Sequence, residues 1–308
     1  MLWNKVWTFS KGLEVLQLQL TEKEVLTPKS DELLIKVFSY GVNSFDVFWL
    51  KSNVHFPYGF EFCGEVIEVG NPHSKFQIGD ILIGISNAQK QDRNWAEWCI
   101  ANETHCIHLP NNLTFQQGAA LPFSGIAALQ LIEQVDFTHK KVLIIGATGG
   151  IGHLFTQLCA TKTQQITVVC KPAHRDFLSK IGIHHFLENQ HNQWSTNDEF
   201  EYILDFSGKY STKELSRNLA KNGIIITTQQ KSKAVLDQFF AFFKKQNVQH
   251  FQLDCSAAHF KKLTEMLHHR QIHPFVFHSF NQFDQLPTAY NELSKGGVQG
   301  KLVVSLGC

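Results

Sequence analysis

Apolar and polar positions alternate along the first third of the chain. LLIKVFSYGVN (33–43) and EVIEVG (65–70) alternate or run apolar and end at Asn or Gly, the pattern of short strands. FQIGDILIGI (76–85) carries a Gly-Asp turn signal followed by another apolar run, and AEWCIAN (96–102) and HCIHLP (105–110) continue the series. The period changes near residue 115. FQQGAALPFSGIAALQLIEQV (115–135) repeats as a helix, interrupted near Pro122. Strands and helices then alternate. KVLII (141–145), QITVVC (165–170), EYILDF (201–206), GIIITT (223–228) and VQHFQLD (248–254) read as strands. Between them HRDFLSKIG (174–182), TKELSRNLA (212–220) and KAVLDQFFAFFKKQ (233–246) read as helices. After a helix over 257–271 come a strand FVFHSF (275–280), a short helix around 284–295 and a strand GKLVVSLG (300–307).

This order predicts an α/β protein of two parts. Residues 119–256 form a doubly wound parallel sheet, and residues 1–118 with 257–308 form a β-rich domain that the chain rejoins at its end. A length of 308 residues suits two domains. With 43% apolar and 18% charged residues, the chain has ample core for a soluble globular protein.

Charge excludes some partners. The net charge of +1 gives no global field for nucleic acid or an anionic membrane, and no Lys/Arg cluster stands out. MLWNKVWTFS lacks the apolar core of a signal peptide, and no apolar run approaches the roughly 20 residues that span a bilayer. The 7 cysteines contain no CxxC, which fits free thiols and a cytoplasmic location.

GATGGIG (146–152) follows the strand KVLII and precedes Ile151, Leu154, Phe155 and Leu158, spaced as one face of a helix. A further strand arrives within about 30 residues, which completes a strand–glycine turn–helix–strand unit. Small residues let the backbone approach a pyrophosphate, and the helix N-terminus offers N–H groups and a positive dipole end. Gly146, Ala147, Thr148, Gly149, Gly150, Ile151 and Gly152 are therefore candidate cofactor contacts; a tight turn with no ligand is the alternative. The second strand of an NAD unit ends near a ribose-binding carboxylate. Here it ends in Cys170-Lys171-Pro172-Ala173-His174-Arg175, so Lys171 and Arg175 point to the 2′-phosphate of NADPH, with a solvated basic turn as the alternative.

Seven blocks in order resemble the medium-chain dehydrogenase/reductase superfamily, in its zinc-independent quinone oxidoreductase (zeta-crystallin-like) branch. They are LLIKVFSYGVNSFDVF (33–48), GFEFCGEVIEVG (59–70), FQIGDILIG (76–84), WAEWCIA (95–101), LPNNLTFQQGAALPFSGIAAL (109–129), GATGGIG and GVQGKLVV (297–304). The resemblance implies a GroES-like catalytic domain, a Rossmann NADP-binding domain and a cleft between them. It implies NADPH-dependent reduction of quinones or other α,β-unsaturated carbonyl compounds, in a homodimer. It places Asn43 and Ser124 at the reacting ring as catalytic candidates, and Ser207, Gly208 and Lys301 among the cofactor contacts. Asp46 is expected to anchor local backbone. VQHFQLD is a candidate pairing edge.

The departures bear on metal. Positions that hold zinc ligands in zinc-dependent members match Asn43, Phe60 and roughly Pro122–Phe123, none of them a normal ligand, and residues 86–98 hold no cysteine. No metal is expected. His105, Cys106, His108, His268, His269 and His273 read as ordinary surface or strand residues. Residues 49–58 depart from the family's cleft segment, which leaves the acceptor open. A non-catalytic nucleotide-binding or structural protein, or an enoyl-thioester reductase, remains an alternative on the same fold.

Overall fold

The computed structural model describes residues 3–9, 18–44, 46, 59–87, 95–228, 247–251 and 253–306. The helix expected over 233–246 and the segment 49–58 lie outside the described residues. The chain divides into two compact units, Met1–Ile126 with Cys255–Cys308, and Ala127–Asp254.

The first unit opens with β1 (Trp3–Phe9) and β2 (Leu18–Glu24), an antiparallel pair in its own two-stranded sheet. β3 (Glu32–Val42), β4 (Glu61–Val69), β5 (Ile81–Ser86) and β6 (Trp98–His108) follow. Each pairs antiparallel with the next, and β6 returns to pair with β3, so the four close on themselves. Closure removes the exposed edges that an open sheet would leave. β6 runs without a break through Asn102-Glu103-Thr104, where the sequence suggested two separate runs. Its first half pairs with β3 and its second with β5, so polar residues in the middle remain in the strand because the ladder changes partner there.

Helix α1 (Phe115–Ala119) starts at a capping box made by Thr114 and Gln117 and packs on β3 and β4. α1 and the first turn of the next helix, α2 (Pro122–Gln134), fall within the first compact unit, which runs to Ile126.

In the second unit β7 (Val142–Ile145) leads to α3 (Gly150–Ala160), β8 (Ile166–Cys170), α4 (Arg175–Lys180), β9 (His185–Glu188) and β10 (Phe200–Asp205). α5 (Thr212–Leu215), β11 (Leu219–Thr227) and β12 (Asn247–His250) complete it. The helix expected over 212–220 ends at Leu215, because Leu219 already pairs with Phe200 as the start of β11. β9 has no counterpart in the pattern reading. The sheet order is β12-β11-β10-β7-β8-β9, all parallel. Every residue of β7 is buried, as expected where both faces of a parallel sheet are covered. The order reverses between β7 and β10, so the crevice outside their carboxyl ends is where such sheets bind ligands.

The chain then returns to the first unit with α6 (Ala257–His268), β13 (Val276–Phe280), α7 (Leu286–Lys295) and β14 (Lys301–Ser305). β14 pairs antiparallel with β3 and extends that sheet. Tyr40, Phe62, Trp95, Tyr290 and Leu302 share its core. The six described cysteines are free thiols. Among the described residues, no helix is long and apolar enough to cross a membrane.

Candidate functional site

In the second unit the turn from β7 to α3 is shaped by its small residues. Gly146 has φ +79°, a left-handed conformation that disfavours a side chain. Gly152 lies so close to the turn that a Cβ there would overlap the Gly146 carbonyl oxygen. Gly149 differs. It is the N-cap of α3 in extended conformation, and a Cβ there would meet only the Gly146 oxygen, at 3.5 Å, an ordinary contact. The left-handed backbone explains the glycine at 146 and close approach the one at 152, whereas the backbone around Gly149, at the N-terminus of α3, has room for a Cβ. Ala147 is buried, and Thr148, Gly150 and Ile151 are half-buried along the same turn.

The end of β10 meets this turn. A Cβ on Gly146 would lie 3.1 Å from the Ser207 backbone nitrogen. Asp205 builds that second loop. Its buried Oδ1 accepts from the Ser207 N–H (2.8 Å), the Ser207 hydroxyl (2.6 Å) and the Gly208 N–H (3.2 Å). Burial pushes the Asp205 carboxyl above its ordinary pKa, and these hydrogen bonds pull the other way. Ser207 and Gly208 therefore stand beside the glycine turn. Asp205, which sequence reasoning passed over, is the residue that holds them there.

At the end of β8, Lys171 is exposed and Arg175 is half-exposed at the start of α4. Arg175 Nη2 lies 3.3 Å from Glu188 Oε2. Burial, then the charge of Lys171, lowers the pKa of His174. Residues 170–175 hold no carboxylate; Asp176 follows directly in the first turn of α4, and strand pairing sets Glu188 level with Cys170.

The first unit holds a buried charged cluster. Lys301 at the start of β14 is ion-paired with Glu61 at the start of β4, and it also donates to Asn43 Oδ1. Asn43 Nδ2 donates to Glu61 Oε1 (2.9 Å), and the Phe123 N–H donates to Glu61 Oε2 (3.0 Å). The ring centroids of Phe60 and Phe123 are 5.2 Å apart. Asn43, Phe60 and Phe123, the positions matched to zinc ligands, thus gather around the Glu61–Lys301 pair. The Lys301 ammonium is held by Glu61 and Asn43. Ser124 is buried in the first turn of α2, next to Phe123.

Asp46 lies beside this cluster. It accepts from the Asn43 N–H (3.0 Å), the Tyr290 hydroxyl (3.0 Å) and the Gly59 N–H (3.3 Å). It anchors local backbone and ties α7 to the turn after β3. Burial raises its pKa to about 7, against the lowering effect of its donors and of Lys301.

Among the described residues no three His, Cys, Asp or Glu side chains gather as a metal site. His105 stacks on Phe260, and His108 Nε2 lies 3.1 Å from Asp80 Oδ2.

A β-rich unit made from both chain ends, joined in sequence to a doubly wound unit with a glycine turn at its switch point, defines a two-domain dehydrogenase. The comparisons agree. The alcohol dehydrogenase GroES-like domain profile matches residues 29–130, and the zinc-binding dehydrogenase profile matches residues 181–304. A chloroplastic quinone-oxidoreductase homolog of Spinacia oleracea is 23% identical over 312 residues, 93% of each chain. A mitochondrial NAD(P)H oxidoreductase of Dictyostelium discoideum is 22% identical, over 96% of this chain and 97% of that protein. The quinone oxidoreductase structure from Coxiella burnetii superposes with a TM-score of 0.85 at 24% identity, covering 99% of both chains. The chain belongs to the medium-chain dehydrogenase/reductase superfamily, in its quinone oxidoreductase branch, with a GroES-like domain and a Rossmann-like domain.

Proposed function

We propose that this oxidoreductase uses NADPH to reduce quinones or other α,β-unsaturated carbonyl compounds, without zinc. The observation that supports the reading is Gly149: packing there has room for a Cβ, and a glycine at that place would suit the close approach of a dinucleotide. The backbone of residues 146–152 and the N-terminus of α3 would take the pyrophosphate. Ser207 and Gly208, held by Asp205, would flank it. Lys171 and Arg175 would take the 2′-phosphate.

A reduced nicotinamide, when bound, supplies a hydride. The chain's part is to orient the reactants and shield them from water. Asn43 and Ser124 are the proposed catalytic candidates, with Asn43 held in one orientation by Glu61 and Lys301. Support for a zinc-free reaction comes from the cluster itself: a buried ammonium already neutralises Glu61, and Asn43, Phe60 and Phe123 are poor metal ligands. Without a strong Lewis acid, conjugated acceptors are favoured, because the charge that follows hydride addition spreads over an enolate or hydroquinone anion. A homodimer paired through β12, an outer strand of its sheet, and a cytoplasmic location with free thiols complete the proposal.

The test is a fluorescence titration of the folded protein with NADPH and NADH, followed by NADPH oxidation with a panel of quinones, enones and acyl thioesters. Binding lost in Gly149→Asp, with turnover on a free quinone or enone, supports the reading. Unchanged affinity and turnover in folded Gly149→Asp refute it, and preference for acyl thioesters would move the substrate to that class.

A further inference from the structure

We infer that Glu188 is a specificity-determining residue, whose carboxylate competes with the 2′-phosphate of NADPH for Arg175. The inference rests on the reading of residues 146–152 as a dinucleotide loop.

In a doubly wound sheet the end of the second strand reads the ribose of the adenine half. Here that strand is β8, and the residues that leave it are Lys171 to Arg175. Strand pairing sets Glu188, the last residue of β9, level with Cys170, the last residue of β8. Arg175 reaches across and meets Glu188 at 3.3 Å. The Cys170 thiol senses both charges: beneath a larger upward push from burial, Arg175 lowers its pKa and Glu188 raises it.

The guanidinium is only partly used. Its Nη2 faces Glu188, while Arg175 Nε is buried and has no hydrogen-bond partner among the described residues. Glu188 Oε1 is also held by Gln190 Nε2 at 2.8 Å, which fixes the carboxylate on the strand end. The formal charges around this turn are Lys171 and Arg175 against Asp176 and Glu188, an even balance; the depressed pKa of His174 favours its neutral form at pH 7. A 2′-phosphate must draw Arg175 from Glu188 or share it, whereas a 2′-hydroxyl meets no such competition. Half-exposed ion pairs are worth roughly 1 kcal/mol or less, so the effect is a modest bias.

The experiment measures dissociation constants of the full chain for ADP and for 2′,5′-ADP, in the wild type, Glu188→Gln, Arg175→Ala and the double variant. The ratio of the ADP constant to the 2′,5′-ADP constant should rise about two- to fivefold in Glu188→Gln at low salt. The rise should vanish when Arg175 is already alanine. A ratio that stays the same or falls in Glu188→Gln overturns the inference, as does a rise that persists without Arg175. Failure of the wild type to bind either nucleotide would overturn the dinucleotide reading itself, a result distinct from unchanged selectivity.

Discussion

Lys301 and Glu61, 240 residues apart in the chain, form an ion pair that is almost wholly buried, with side-chain exposures of 3% and 0%. The pair joins β14 to β4, and Asn43 bridges both partners. Removing one partner would leave the other charge in the core, at a cost of about 3–5 kcal/mol. Lys301→Met alone should therefore unfold at much lower denaturant than the wild type. Lys301→Met combined with Glu61→Leu should recover part of the loss, because no buried charge is left unpaired, less the cost of leaving the Asn43 amide and the Phe123 N–H without Glu61. Equilibrium denaturation of the three proteins checks this, and a double variant no more stable than Lys301→Met would refute it.

Asp46 sets a pH dependence. Its folded pKa, about 7, lies above its ordinary value of 3.8. Between these values the native state binds more protons than the unfolded state, so stability falls as pH rises. The favourable contribution is fully present below pH 4 and is lost as pH passes 7. Asp46→Asn should flatten the thermal midpoint against pH between about 4 and 7 relative to the wild type, by an amount equivalent to roughly a few kcal/mol. Parallel curves for the two proteins would show that Asp46 does not titrate in this range.

Two glycines of one turn should separate stability from binding. Gly152→Ala places a methyl on the Gly146 carbonyl oxygen and should destabilise by about 1–3 kcal/mol. Gly149→Ala meets only an ordinary contact and should cost within about 1 kcal/mol as a helix N-cap. It should nonetheless weaken NADPH binding, because the methyl occupies the space a pyrophosphate needs. Thermal melts and nucleotide titrations of both variants measure the split. Equal nucleotide affinity in Gly149→Ala and the wild type would count against the dinucleotide reading.

Lys171 is exposed and makes a prediction about salt. Lys171→Ala should weaken NADPH binding more than NADH binding, and the difference should shrink as ionic strength rises, since exposed charges are screened over about 10 Å at 0.1 M. Titrations at two salt concentrations decide it; an equal loss for both nucleotides would assign Lys171 to something other than the 2′-phosphate.

Much of the fold was legible because it rests on local rules. β7, the turn 146–152 and α3 follow from a run of apolar residues, small residues and a helical period within 20 residues. The helix α7 and strands β13 and β14 followed in the same way. The first hairpin, β1 with β2, and the short strand β9 were not legible. In β1 apolar Trp3 is 60% exposed while polar Asn4 is buried, the reverse of what polarity suggests, and His185-Phe186-Leu187-Glu188 has no fully buried residue, so the pattern that marks a strand is blurred in both. α3 is also buried more widely than its one apolar face suggests, with His153 and Thr156 fully covered.

The sequence by itself determined the two-part plan and the glycine turn, since propensity, period and turn chemistry act between near neighbours. Only the tertiary structure decided that Asn43, Glu61 and Lys301 share one buried cluster, that Asp205 holds the loop of Ser207 and Gly208 against Gly146, and that Glu188 meets Arg175. Each of these depends on which strands lie side by side. A charge carries no label for its partner until the sheet order brings the two together, and burial then sets what their meeting is worth.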